Sequence, residues 1–104
     1  MSVTLLALFN LKDGVGEKDY LEWAKKVDIP TVNGLRSVDN FKVYSVSGFF
    51  GSDEKPPYQY YEVIDVNHMD NFLEDIGEEQ MQHVASEFQK FTDDVFFLLS
   101  NEVS

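Results

Sequence analysis

The sequence of 104 residues contains no cysteine, and basic side chains are scarce. The absence of cysteine excludes disulfides, thiolate metal sites and a cysteine nucleophile. Eight basic residues stand against 19 acidic ones, which gives a formal net charge of −11. A field of that sign repels phosphate backbones and anionic lipid surfaces. We therefore expect neither nucleic acid nor a membrane as a partner.

Long apolar runs and nucleotide-binding motifs are also missing. No stretch approaches the roughly 20 apolar residues that span a bilayer, and the N-terminal stretch does not resemble a secretory signal, so we expect a cytoplasmic protein. There is no Gly-x-Gly-x-x-Gly, no P-loop lysine and no Gly-x-Ser-x-Gly, which disfavours nucleotide cofactors, phosphoryl transfer and hydrolase triads. The two histidines form no recognisable ligand set, so no metal is expected.

Apolar and aromatic side chains are abundant. They make up 43% and 14% of the sequence, respectively, which is too apolar for a disordered chain. The length predicts one domain over residues 1–104, with little core to spare.

Four segments have the pattern of β-strands. Residues 3–11 are apolar in both alternating sets, which predicts a central strand covered on both faces. Residues 38–47 alternate loosely, as an edge strand does, and residues 58–66 are rich in β-forming side chains. Residues 95–99 are all apolar, which predicts a short strand with no polar face.

Two regions have helical periodicity. The first has apolar residues at i, i+3, i+4 and i+7, and Pro30 is expected to end it; these residues are Tyr20, Trp23, Ala24 and Val27. The second begins with Asn67 as the predicted N-cap and is interrupted at Gly77. Its two parts have apolar faces made of Met69, Phe72, Leu73 and Ile76, then of Met81, Val84, Ala85, Phe88 and Phe91.

The resulting order, βαββαβ, predicts an α+β, ferredoxin-like fold with a four-stranded antiparallel sheet and the first and third strands in the centre. Two helices cover only one face of such a sheet. The other face exposes more apolar surface than a monomer normally tolerates, so we expect a homodimer that packs sheet against sheet. The alternative is that a terminal segment or the Phe49-Phe50 loop covers that face.

Several motifs resemble those of the dimeric α+β barrel superfamily. The segment from Pro30-x-Val32 to Leu35-Arg36-Ser37-Val38-x-x-Phe41-x-Val43 is similar to the entry into its second strand, with Arg36-Ser37 where Pro-Gly is usual. A related branch has a histidine where this chain has Asp28. A closer resemblance, to the RedY-like group, lies in Tyr61–Val66, Met69, Phe72, Met81, Val84, Phe88, Phe91-Thr92-Asp93, Phe97 and Glu102.

The resemblance implies a role in prodiginine pigment biosynthesis, in the branch that builds the bipyrrole. It also implies a pocket between sheet and helices for a small aromatic or pyrrole ligand, and chemistry without a metal or organic cofactor. We therefore expect a cofactor-free enzyme that assists condensation and dehydrative ring closure. Two alternatives remain: a non-catalytic module that binds or shields a reactive intermediate, and a cofactor-independent monooxygenase.

Three residues are candidates for acid–base chemistry. Glu62 lies in a central strand, where burial should raise its pKa; alternatively, it is a structural carboxylate bonded to a tyrosine or Arg36. His68 and His83 have side chains that titrate near neutrality. Each also has a simpler interpretation, as a solvated residue at a helix start and at a helix border.

Trp23, Tyr44 and Tyr61 are candidates for a flat pocket that binds a pyrrole ring. A tryptophan on a helix stripe, such as Trp23, is more often a plain core residue than part of a pocket. On the third strand Tyr60 and Glu62 share one face and Tyr61 the other, so only one of these sets can face a pocket.

Overall fold

The computed structural model describes residues 2–104. Its elements in chain order are β1 (Val3–Leu11), α1 (Glu17–Trp23), a π-helical turn (Ala24–Asp28), α2 (Ile29–Asn33), β2 (Val38–Ser45), β3 (Tyr60–Val66), α3 (Met69–Ile76), α4 (Glu79–Phe91) and β4 (Thr92–Ser100). The strands form one antiparallel sheet in the order β2-β3-β1-β4. The predicted ferredoxin-like arrangement, with the first and third strands in the centre, is confirmed.

The strand registers define two faces of the sheet. Ala7 of β1 lies opposite Glu62 of β3 and Phe97 of β4, and these residues face the helices. Two apolar clusters fill this layer. The first contains Phe9, Tyr20, Trp23, Ala24, Tyr60 and Val84. The second contains Val32, Val38, Phe41, Ile64, Val66 and Phe72. Both clusters lie between the sheet and the helices, so the helix face is the covered one.

The first helical region does not end at Pro30, as the sequence predicted. Helical structure continues to Asn33, because the π-helical turn Ala24–Asp28 interrupts the hydrogen-bond register just before the proline. Pro30 then occupies the first turn of α2, where its missing N–H costs nothing. This turn also places Asp28 at the junction of two helical segments.

The predicted N-cap of the second helical region, Asn67, is also corrected. His68 is the N-cap of α3, and its Nδ1 accepts a hydrogen bond of 3.2 Å from the backbone N–H of Asn71. Asn67 instead donates to the Arg36 carbonyl oxygen. Leu73, expected on the apolar face, is 58% exposed, whereas Phe72 is buried.

Strand β4 is longer than the predicted residues 95–99, because it starts directly after α4 at Thr92. Its pairing with β1 shifts in register between Leu8 and Asn10. Asp94 lies at this bulge with a φ of 53°, a left-handed conformation that aspartate tolerates better than most side chains.

The second face of the sheet has no helix over it. Its exposed apolar residues include Phe96 (56% exposed), Leu98 (48%) and Tyr44 (39%). Phe50 of the loop between β2 and β3 is fully exposed, so it covers none of this surface. Within residues 2–104, no helix has the length and apolarity required to cross a bilayer.

Candidate carboxyl site between sheet and helices

Glu62 points from β3 into the layer between the sheet and the helices. Its neighbours across the sheet are Ala7 of β1 and Val43 of β2. Ala7 has a small side chain, which leaves space beside the carboxyl group. Glu62 is only 4% exposed, and Tyr60 and Ile64 beside it on the same face are also buried. A central strand thus holds an acid where apolar residues are the rule.

Asp28 reaches the same layer from the helical side. It is the last residue of the π-helical turn and is 5% exposed. π-helical turns are rare and occur frequently at functional sites. Here the turn presents Asp28 to Glu62, close enough for a hydrogen bond between the two carboxyl groups when one of them is protonated.

The hydrogen bond requires the two carboxyl groups to share a proton. Burial raises the pKa of Asp28 to about 7, and the hydrogen bond from Glu62 lowers it in part. The pKa of Glu62 is raised well above its ordinary value, mainly by burial and then by the charge of Asp28. Two acids this close cannot both ionise easily, so near neutrality Glu62 is the protonated partner.

Two buried oxygen atoms of the pair, Asp28 Oδ2 and Glu62 Oε2, have no hydrogen-bond donor outside the pair among residues 2–104. Buried polar atoms are nearly always hydrogen-bonded, so two such atoms at one place are unusual. They mark the position at which a ligand or water can bind.

A cavity of about 120 Å³ adjoins the pair. Its lining comes from α2, β2, β3, α3, α4 and β4 as well as from Asp28, and it is almost entirely apolar. The lining residues are Asp28, Val32, Phe41, Glu62, Ile64, Phe72, Met81, Val84, Ala85, Phe88 and Phe97. An apolar cavity of roughly 150 Å³ is large enough to hold benzene. The space beside the pair is somewhat smaller and suits a five-membered ring or a group of similar size.

A layer of packed aromatic rings supports the pair from one side. Tyr20 is fully buried, with its ring 5.2 Å from that of Tyr60 and 6.2 Å from that of Trp23. The pKa of Tyr20 is raised by burial and by the nearby charges of Glu62 and Asp28. Its hydroxyl and the Trp23 indole N–H are buried donors without a partner among the described residues. The Tyr20 hydroxyl thus stays neutral beside the two acids.

Trp23 belongs to this aromatic layer and does not line the cavity itself. Its ring lies 5.3 Å from Phe91 and 6.5 Å from Phe88, and Phe88 is a lining residue. Trp23 therefore packs behind the cavity wall, against the lining residue Phe88.

Tyr44 and Tyr61 lie on the opposite face of the sheet from Glu62. Their rings stack at 4.9 Å, and they are direct partners in the register of β2 and β3. Since Glu62 faces the helices, the alternation of the strand directs Tyr61 to the open face. The structure thus does not bring these two tyrosines to the carboxyl pair.

The two histidines also lie apart from the pair. His68 is exposed, and its side chain caps α3. The side chain of His83 is 74% exposed, and its Nε2 lies 3.1 Å from Glu87 Oε1 on the next turn of α4. Of the three residues predicted for acid–base chemistry, only Glu62 lies at the cavity.

Arg36 was considered as a partner of Glu62, and this alternative is wrong. Its Nε donates to Asp75 Oδ1 at 3.2 Å, and its Nη2 donates to Glu74 at 3.0 Å. Asp75 also accepts a hydrogen bond of 2.7 Å from Ser37, so this network joins the start of β2 to α3. The partner of Glu62 is Asp28.

Asp28 was not among the predicted site residues, although its spacing contains a signal. Tyr20, Ala24 and Asp28 recur at intervals of four, so the acid continues the buried stripe of a helix. An acid on such a stripe needs a partner in the layer that it faces. That partner was already identifiable in Glu62 of the central strand.

Comparison with solved structures establishes the class of this fold. A dimeric ferredoxin-like protein from Thermobifida fusca matches with a TM-score of 0.76 at 14% identity, over 98% of this chain and 92% of that one. SnoaB from Streptomyces nogalater, described as a cofactor-independent oxygenase, matches with a TM-score of 0.73 at 10% identity, over 99% and 95% of the two chains. The protein therefore has a ferredoxin-like α+β fold.

The sequence identifies the family within that class. The family model for HapK, described as REDY-like protein HapK, matches residues 3–103, and the chain belongs to this family. The solved structure of HapK from Hahella chejuensis is similar, with 26% identity, a TM-score of 0.77 and coverage of 98% of this chain and 93% of that one. No curated protein sequence matches. The resemblance to the RedY-like group is confirmed.

Proposed function

We propose that this protein is a cytoplasmic, cofactor-free enzyme of prodiginine biosynthesis that assists the dehydrative ring closure of a pyrrole-bearing amino-ketone. The main support is the pair of buried carboxyl groups, Asp28 and Glu62, at a ring-sized apolar cavity. Membership of the HapK family supports the pathway.

The carboxyl pair matches the proton requirements of such a condensation. The substrate nitrogen attacks the carbonyl carbon, and the C–O bond then breaks so that the oxygen leaves as water and a cyclic imine remains. The carbonyl oxygen needs a proton donor and the nitrogen needs a proton acceptor. Protonated Glu62 supplies the first and ionised Asp28 the second, since Asp28 has a pKa of about 7. Asp28 then returns its proton to the hydroxyl, which leaves as water, and the Glu62 carboxylate takes the second proton of the nitrogen, so both acids regain their starting states. Both groups thus work near neutral pH.

The cavity contributes by excluding water and limiting the substrate's freedom. Its apolar walls hold the reacting nitrogen and carbonyl close together, which lowers the entropic part of the barrier. Exclusion of bulk water also protects a reactive intermediate from hydrolysis while it is bound. We place the pyrrole or amino-ketone segment against the phenylalanines of the lining, among them Phe41 and Phe88.

Reconstitution with the upstream pathway reaction tests this proposal. Added purified protein should raise the rate of formation of the cyclised product or change the distribution of products. If neither changes, the protein is not the cyclisation catalyst. A binding module for a reactive intermediate would extend the lifetime of the intermediate without faster product formation. A monooxygenase would consume oxygen in proportion to product, which an oxygen electrode detects.

We propose a second copy of the chain as the partner of the open sheet face. This face presents Phe96 and Leu98 of β4 together with Tyr44 of β2, all exposed in the single chain. Burial of such a patch stabilises by about 25 cal/mol per Å² of apolar surface. Structural neighbours include dimeric proteins of the same fold, which supports a homodimer.

Leu98→Glu is expected to convert the dimer into a monomer, since it places two charges into a symmetric apolar interface. Leu73→Glu is the matched control, because Leu73 is 58% exposed on α3, on the helix side. Sedimentation equilibrium at micromolar concentration should give half the mass for Leu98→Glu only. A dimeric mass for that variant, or a monomeric mass for the unaltered protein, would show that this face is not the interface.

A further inference from the structure

The polar side chains that line the cavity are all acidic. Among its lining residues, Asp28 and Glu62 are the sole polar side chains, and no Lys, Arg or His of residues 2–104 lines it. Both acids are at least nine-tenths buried, and each has one oxygen that accepts no hydrogen bond from any group of residues 2–104 outside the pair. Apart from the one proton that Glu62 shares with Asp28, the site therefore offers acceptors and negative charge to whatever binds there.

The basic residues closest in sequence are engaged elsewhere or exposed. Lys26 pairs with Glu22 at 2.7 Å on the outer surface of the helix, and Lys25 is exposed. Arg36 pairs with Glu74 and Asp75. A buried anion without a neighbouring cation is energetically costly. The cost is relieved when a bound molecule supplies the positive charge.

We infer that the cavity binds a ring-sized group with a protonated nitrogen, an ammonium or an iminium, which donates N–H hydrogen bonds to Asp28 Oδ2 and Glu62 Oε2. This inference rests on the proposed function, in which the protonated nitrogen is the one that reacts. Four phenylalanines, Phe41, Phe72, Phe88 and Phe97, line the same cavity. Aromatic rings attract cations through their faces, whereas an anion gains nothing from them.

The inference explains how a protonated amine becomes a nucleophile. An ammonium has no free electron pair and cannot attack a carbonyl carbon. Transfer of its proton to the Asp28 carboxylate leaves a neutral amine and a carboxylic acid, with charge and atoms conserved. After the attack, Glu62 has given its proton to the carbonyl oxygen and takes the next proton from the nitrogen. The Asp28 acid protonates the leaving hydroxyl, so water and a protonated cyclic imine result. Burial disfavours both charged groups of the starting pair, so the apolar cavity favours this transfer. The enzyme thus selects the abundant ammonium form and activates it after binding.

Three small probes of equal ring size test the charge preference: pyrrolidine, which is protonated at neutral pH, neutral tetrahydrofuran and anionic cyclopentanecarboxylate. Amide chemical shifts of the full chain, labelled with ¹⁵N, follow each titration at pH 8, where Asp28 is ionised. Pyrrolidinium is expected to have a dissociation constant about tenfold or more below that of tetrahydrofuran, since hydrogen bonds to charged groups are the stronger ones. Cyclopentanecarboxylate should give no saturating shifts at residues 28 and 62.

Asp28→Asn should raise the dissociation constant of pyrrolidinium about tenfold and leave that of tetrahydrofuran unchanged. Asp53→Asn is the matched control, since it removes the same charge from an exposed loop, and should bind like the unaltered protein. Glu62→Gln provides a second variant if Asp28→Asn does not give the dispersed spectrum of a folded protein. Equal affinity for pyrrolidinium and tetrahydrofuran, or an unchanged preference in both variants, overturns the inference.

The same variants separate this inference from the proposed function. If pyrrolidinium is preferred but Asp28→Asn retains full turnover in the reconstituted pathway, the cation site stands and the catalytic role fails. If turnover collapses while pyrrolidinium and tetrahydrofuran bind equally, the catalytic role stands and the cation preference fails.

Discussion

Replacing Asp28 with Asn should lower the rate of ring closure by about 10²- to 10⁴-fold, the usual contribution of a positioned general acid or base. Asparagine has nearly the same shape and can accept a hydrogen bond from Glu62, so the cavity should keep its form. It cannot take a proton from the substrate nitrogen, however. The loss is therefore expected in kcat, measured as the rate of product formation at saturating substrate in the reconstituted reaction.

Glu62→Gln should cause a loss of similar size for a complementary reason. Glutamine keeps the size of the side chain and a hydrogen-bond donor but cannot release a proton to the carbonyl oxygen. Asp53→Asn and Glu54→Gln are the matched controls, because both acids are exposed in the loop between β2 and β3. Their rates should equal that of the unaltered protein. Because the two acids work as a unit, the double variant should lose little more than either single variant. Turnover within threefold of the unaltered rate in both site variants would exclude the acid–base role.

The sheet was predictable from the sequence because its signals are local. The unbroken apolar run of Val3–Leu11 predicted a central strand, and β1 indeed lies between β3 and β4. The order of the elements restricts the topology to few arrangements, which is why the antiparallel order β2-β3-β1-β4 was predicted as a whole. Length was less predictable: β4 begins at Thr92 because the bulge at Asp94 lets pairing start as soon as α4 ends.

The helical boundaries could not be predicted with the same rules. Pro30 normally indicates the end of a helix, yet the π-helical turn before it absorbs the missing hydrogen bond. Such a turn has no local signal comparable to a cap. Asn67 is a better N-cap by preference than His68, but its side chain is held by Arg36 and Asp39 across the chain. A tertiary contact thus overrides a local preference.

The candidate site was half predictable. The alternation of β3 shows that Glu62 and Tyr61 must face opposite sides, but the sequence does not say which side the helices cover. The structure places Glu62 beneath the helices with Asp28, and Tyr61 on the open face with Tyr44. The spacing of Asp28 signals only that this acid is buried and needs a partner. Its pairing with Glu62 is a long-range contact between a π-helical turn and a strand, so the sequence suggests the partner but does not fix the geometry.

The second large effect concerns stability, which we expect to fall as the pH rises from about 4.5 to 8. The folded-state pKa of Asp28 is raised from 3.8 to about 7, and that of Glu62 is also raised. In this window the native state holds protons that the unfolded chain has already lost, so a rise in pH favours unfolding. For Asp28 alone, a shift of about three units corresponds to at most about 4 kcal/mol. Asp75, with a lowered pKa, acts in the opposite direction only at more acidic pH.

Asp28→Asn should therefore be more stable than the unaltered protein at pH 8, by a few kcal/mol, and nearly equal to it at pH 4.5. Urea unfolding at both pH values, at one fixed protein concentration because dimerisation adds to stability, measures the difference. Asp53→Asn changes the net charge equally but removes no buried acid, so it should follow the pH profile of the unaltered protein.

If Asp28→Asn shows no gain at pH 8, the pKa of Asp28 is not raised in the folded protein, and this acid is not tuned to exchange protons with a substrate near neutrality. If Asp28→Asn instead gains stability at pH 8 and loses turnover, the pKa of Asp28 is raised in the folded protein and this acid takes part in catalysis. The free energy that disfavours charge in the cavity would then be the same free energy that raises the pKa of Asp28 to about 7. Stability lost at the carboxyl pair would be a direct consequence of the environment that makes it an acid–base catalyst.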